Sequence, residues 1–145
     1  MSRNIFFGLI TSSIFFIINN RGLIDGPPPT IFNFVISILF VIIWYCYSYI
    51  KGKYKQKNFI TFSTIFWGIG CMISIPIFTA DSLIWISLIF LAPLNGFRFL
   101  FSFYGIPFSL FSTLVPWCIS IIGYLVGLKS SPRNKIRQEV GLHDL

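Results

Sequence analysis

Negative charge is the scarcest property of this 145-residue chain, which carries four acidic residues, Asp25, Asp81, Glu139 and Asp144, and a single histidine, His143. None of them lies within a long apolar run. Proton-coupled transport commonly rests on embedded carboxylates or histidines, and an intramembrane metal centre needs the same ligands. A serine hydrolase needs a positioned general base, and the apolar runs hold none. The expectation is therefore no catalytic set, no metal, no cofactor and no conventional enzyme.

Charge of either sign is sparse. Only 10% of the residues are charged and 55% are hydrophobic, with a mean hydropathy of +0.81. A soluble domain carries about a quarter charged residues to keep its surface hydrated. The stretches outside the apolar runs, 19–30, 51–58 and 129–145, are too short to close a core, since chains below ~40 residues usually need staples to fold. The three cysteines, Cys46, Cys71 and Cys118, show no CxxC spacing and lie inside apolar segments. An odd number implies no closed disulfide framework, and they read as small apolar packing residues.

What the chain does have is long apolar runs bounded by basic residues. An all-α integral membrane protein follows, because a run of ~20 apolar residues spans the bilayer core as helix. A helical membrane domain is expected over 1–128 and a basic cytoplasmic tail over 129–145. The expected spans are 5–18, 31–50, 59–79, a broken or re-entrant segment at 83–105, and 106–128. Between the first two, Pro27, Pro28 and Pro29 exclude helix and leave a stiff connection. The run 31–50 is the clearest span, ending in Trp44, Tyr45, Tyr47 and Tyr49 and then in lysines, the signature of a cytoplasmic interface.

The formal charge of +7 is not a nucleic-acid signature. Eight of the eleven basic residues form two clusters, Lys51, Lys53, Lys55 and Lys57, and Lys129, Arg133, Lys135 and Arg137. Both flank apolar runs, as cytoplasmic loops do, and both would be drawn to anionic lipid by ~1 kcal/mol per residue.

The region 83–128 admits two topologies. Five crossings put Arg3, the four lysines and Arg98 inside, against Arg21 and four tail residues outside, six to five. Four crossings with a re-entrant 83–105 put nine basic residues inside and only Arg21 outside, with Arg98 embedded. The positive-inside rule favours four, with both termini cytoplasmic in a multi-pass protein of the cell membrane; five is the alternative. Pro93, Asn95 and Gly96 also interrupt the middle of 83–105, where non-helical backbone is tolerated only if protein or a water cavity satisfies it.

Two polar features remain. Arg98 is the only charged residue within an apolar run; buried, it would need a partner, and Asn95 and the carbonyls near Pro93 are the local candidates. Otherwise it snorkels to the inner interface as an ordinary flank. Gly123 and Gly127 form a small-xxx-small spacing that lets two helices approach closely, either between chains or within one. Pro116 is expected to bend the same helix, with Ser112 satisfying the freed carbonyl. These absences favour a non-enzymatic accessory, regulatory or immunity-type protein that acts through membrane lipid, a membrane-protein partner or a homo-oligomer. A small transporter or channel subunit for an anionic solute is the alternative, motivated by the broken segment and Arg98.

Overall fold

Helices account for nearly all of the residues that the structure, a computed structural model, describes: 2–20, 28–74, 84–100 and 106–131. In chain order they are α1 (Ser2–Asn19), α2 (Ile31–Lys53), α3 (Asn58–Ser74), α4 (Ile84–Leu91), a 3-10 helix (Ala92–Phe99) and α5 (Ile106–Lys129), with no strand among the described residues. Three of them, α1, α2 and α5, are long and apolar enough to cross a membrane. Residues 75–79, the far end of the expected third span, lie outside the described residues, as does the tail beyond residue 131.

Each long helix is built inside out by the standards of a soluble protein. The buried positions of α1 are Asn4, Gly8, Thr11, Ser12, Phe15 and Asn19, while Phe6 is 68% and Ile17 71% exposed. On α2 the buried stripe is Asn33, Ser37, Phe40, Trp44, Ser48 and Gly52, spaced three or four residues apart on one helical face. On α5 it is mostly serine, threonine and glycine, with Leu114, Ile122 and Leu125 turned outward. Water would penalise this arrangement, whereas hydrocarbon is indifferent to outward aliphatics and drives small and polar residues inward. Cys46 and Cys118 also lie on exposed positions, so they do not fill the core that their sequence context suggested.

The centre is aromatic and solid. Trp44 and Trp67 meet edge to face at 5.1 Å, and Phe66 packs against both at 5.9 and 5.2 Å. Phe90 from α4 closes on Phe66 at 5.3 Å and presses on Gly70, where an added Cβ would lie 2.5 Å from its ring. Phe15 with Phe40 and Phe59 with Tyr124 extend the cluster toward the two ends.

Helices α2 and α5 run parallel at close range. Gly123 faces the Tyr45 carbonyl, Gly127 faces the Tyr49 carbonyl and Lys53 nitrogen, and Gly52 faces Tyr124. Contact positions thus advance together along both helices. The spacing read from sequence as a helix contact therefore faces α2 of the same chain. Parallel packing puts Lys53 and Lys129 at one end of the bundle. At the other end the Ser109 hydroxyl of α5 donates to the Ser74 carbonyl of α3 at 3.3 Å.

One local expectation needs adjusting. Helix α5 continues through Pro116, but Ser112 Oγ has no hydrogen-bond partner among the described residues. Instead Thr113 donates to the Ser109 carbonyl at 3.0 Å, and Ser120 to the Pro116 carbonyl at 2.7 Å. The span expected over 83–105 does change character at its proline. Regular α-helix stops at Leu91 and eight residues of 3-10 helix follow, with Pro93 in the first turn, where a missing N–H costs least.

Candidate functional site

Where α1 finishes and α2 begins, the 3-10 helix seats against both and a knot of side-chain amides joins all three. Asn19 is its hub. Its carbonyl oxygen Oδ1 accepts from Asn33 Nδ2 at 2.8 Å, and its Nδ2 donates to Ser37 Oγ at 2.8 Å and to the Pro93 carbonyl at 3.2 Å. The Asn19 backbone carbonyl, orphaned at the helix end, accepts from Asn95 Nδ2 at 3.0 Å. Ser37 Oγ also accepts from the Gly96 N–H at 3.0 Å. Asn19, Ser37 and Asn95 have no exposed surface and Asn33 has 5%.

The backbone dictates which residues can serve. Asn33 lies in the first turn of α2, and its Oδ1 accepts from the Thr30 N–H at 2.9 Å and from the Thr30 hydroxyl at 2.8 Å, so the amide is oriented before it reaches Asn19. Gly96 is required because a Cβ there would collide with the Asn33 carbonyl and lie 2.5 Å from the Phe34 nitrogen. Phe34 and Phe97 meet edge to face at 5.5 Å and Phe97 reaches Phe111 at 5.5 Å, sealing the knot with rings.

Arg98 and Asn95, paired as candidates from the sequence, do meet: Arg98 Nη1 donates to Asn95 Oδ1 at 3.1 Å. The guanidinium also sits 5.7 Å from the centre of the Phe108 ring, a cation–π distance. Arg98 is half-buried and lies at the end of the bundle opposite the lysines. The Pro93 carbonyl goes to Asn19.

Asn19, Asn33 and Ser37 carry most of the bonds, and sequence reasoning passed over them because it searched the apolar runs for charge. The usable signal was an asparagine two residues inside a predominantly apolar helix, where an unsatisfied amide is costly. Amides and hydroxyls of this kind hold no mobile proton at neutral pH, so the arrangement is a latch. Among the described residues no three of His, Cys, Asp or Glu gather as metal ligands.

Asn19→Leu is expected to strand Asn33 Nδ2 and the Pro93 carbonyl together and to cost about 2–3 kcal/mol. A thermal melt in detergent would register this as a clear drop in Tm, while exposed Asn20→Ala should leave the melt unchanged. Equal melts for the two variants would show that the latch holds nothing.

At the other end stand Lys51, Lys53, Lys55, Lys57 and Lys129, with Arg133, Lys135 and Arg137 outside the described residues. Lys53 points outward beside α5, whereas Lys51, Lys55 and Lys57 border one cavity with the start of α1. Helices are joined here by a tight turn in which Lys55 takes a left-handed φ of 54°. No family model, no curated protein and no solved structure matches this chain.

Proposed function

We propose that this is a small multi-pass protein of the cell membrane, with four crossings and a re-entrant segment over 83–105, acting without catalysis through contacts with other membrane components. An accessory, regulatory or immunity-type role fits best. Parallel packing of α2 and α5 supports the four-crossing topology, since the lysine turn and the end of α5 then share a face, which the positive-inside rule makes cytoplasmic. The interrupted segment climbs from Phe90, beside the central tryptophans, to Asn95, beside the ends of α1 and α2, as a re-entrant element would.

The observation that carries the functional reading is closure. Polar groups of the interrupted segment are bonded to α1 and α2, and the centre beneath them is packed with Trp44, Phe66, Trp67 and Phe90. A transporter keeps such groups available to a solvated path at the midplane. Transport by one chain is correspondingly the weaker reading.

Gentle detergent extraction should recover the chain with a second membrane protein or as a homo-oligomer, measured by light scattering and mass spectrometry. A consistently monodisperse monomer would sink the contact reading. Reporters within 53–57 and after residue 145 should both be cytoplasmic; opposite sides would replace four crossings with five.

A further inference from the structure

The lysine end of the bundle contains a cavity of about 550 Å³ whose wall is basic. Arg3 and Asn4 come from the first turn of α1, Lys51 from the last turn of α2, Lys55 and Lys57 from the turn, and Asn58 from the start of α3. Two helix N-termini therefore converge where four cationic side chains already stand. Each contributes the positive end of its dipole, the environment that anions seek, while at α3 the Phe59 and Ile60 N–H groups are already taken by the Gln56 and Lys57 carbonyls.

The cup is scaffolded. Tyr47 donates to Asn4 Oδ1 at 2.7 Å and stacks on Phe7 at 3.6 Å, fixing the start of α1 against α2. Lys51 Nζ rides 4.9 Å above the same Tyr47 ring, so its stem is held along the wall. Lys55 is set by its own N–H donating to the Gly52 carbonyl at 2.8 Å and by Gln56 N–H donating to the Lys51 carbonyl at 3.0 Å. Backbone and aromatic contacts thus hold like charges near one another, and burial, then repulsion from Arg3, disfavour the charged form of Lys51. A multiply charged anion in the cavity would reverse the sign of that interaction.

We propose that this cup is a binding site for a phosphate-bearing polyanion, either the headgroup of an anionic phospholipid or a soluble phosphorylated solute. Its volume falls in the range of small-molecule sites, about 300–1,000 Å³, which suits a headgroup or a diphosphate better than a single small ion. The sequence suggested only diffuse attraction of eight basic residues to lipid; the geometry selects Lys51, Lys55 and Lys57, excludes Lys53, and adds Arg3. The lipid source rests on the membrane topology proposed above, whereas the soluble source does not, so the two arms of the test fail separately.

Purified protein would be placed in nanodiscs of phosphatidylcholine alone, or of phosphatidylcholine with phosphatidylglycerol, and titrated with inorganic pyrophosphate. Thermal stability and native mass spectrometry report binding. Pyrophosphate binding in phosphatidylcholine alone supports a soluble ligand, and retention of phosphatidylglycerol with a raised Tm supports a headgroup. In either arm the double variant K51Q/K55Q should weaken binding by about tenfold or more, since charge-assisted bonds are lost. R3Q should weaken it as well, while K53Q should behave as wild type and control for net charge. Circular dichroism confirms that each variant is folded. Failure of both probes to bind, or equal weakening by K53Q, overturns the proposal in favour of diffuse surface charge. Binding that emerges only in E139Q/D144N overturns it too, because the cup then serves the chain's own tail.

Discussion

Gly96→Ala is expected to give a protein that is at least about 3 kcal/mol less stable than wild type, or that fails to accumulate in folded form. The added methyl would meet the Asn33 carbonyl and the Phe34 nitrogen, both main-chain atoms of the first turn of α2. No rotamer change can move them aside. Relief would require lifting the 3-10 helix off α2, which breaks the Gly96 N–H to Ser37 bond and draws Asn95 from the Asn19 carbonyl. Gly68→Ala is the matched comparison, because nothing lies within 4 Å of a Cβ there. Alanine should be neutral or add up to ~1 kcal/mol at that position through helix propensity. Melting curves in one detergent would read both. Coincident melts for Gly96→Ala and wild type would show that the 3-10 helix is not seated as described.

Gly52→Ala and Gly127→Ala are expected to cost about 2–4 kcal/mol each by forcing α2 and α5 apart. Added methyls would strike the Tyr124 and Tyr49 carbonyls, and for Gly127 would also lie 2.8 Å from the Lys53 nitrogen. Gly123→Ala should be milder, since its closest approach is 2.8 Å to the Tyr45 carbonyl and the next is the Ser48 side chain at 3.0 Å. Within-chain packing predicts that the losses appear in the melt of the monomer and do not depend on protein concentration. A concentration-dependent loss, with the monomer's own melt intact, would move this helix contact to a boundary between chains.

Composition and apolar run length made the long apolar helices α1, α2 and α5 legible, because both are properties of the local sequence alone. Proline at position 93 marked the interruption for the same local reason that the helix changes there. Pairing was less legible. Small residues at Gly123 and Gly127 announce a close approach but not its partner; nothing in the spacing says that α2, and in parallel, fills it. The latch was overlooked for a different reason. Arg98 drew attention as a charge, yet the bonding capacity sits in neutral asparagines whose partners are far away in sequence, Asn19 with Pro93 and Asn95. Ser112 looked placed to serve the carbonyl freed by Pro116, but its hydroxyl has no partner among the described residues. In the cup, Arg3 was read only as a topological marker, since fifty residues separate it from the lysines it joins.

The hub residue also imposes an order on biogenesis. Asn19 and Asn33 bond to each other, so an α1–α2 hairpin can enter the bilayer with those two amides already satisfied. Ser37 is reached by the Asn19 amide within the same hairpin, but the Asn19 backbone carbonyl and the rest of its Nδ2 capacity wait for Asn95 and Pro93, which follow it by 76 and 74 residues on the ribosome. Until that segment is synthesised and folds back, the nascent hairpin carries open polar valences facing inward, a tether on which the late segment closes. Arrival of the 3-10 helix is thus the step that converts two loosely associated early helices into a locked bundle, and a chain halted before it would present those valences to the insertion machinery and to quality control.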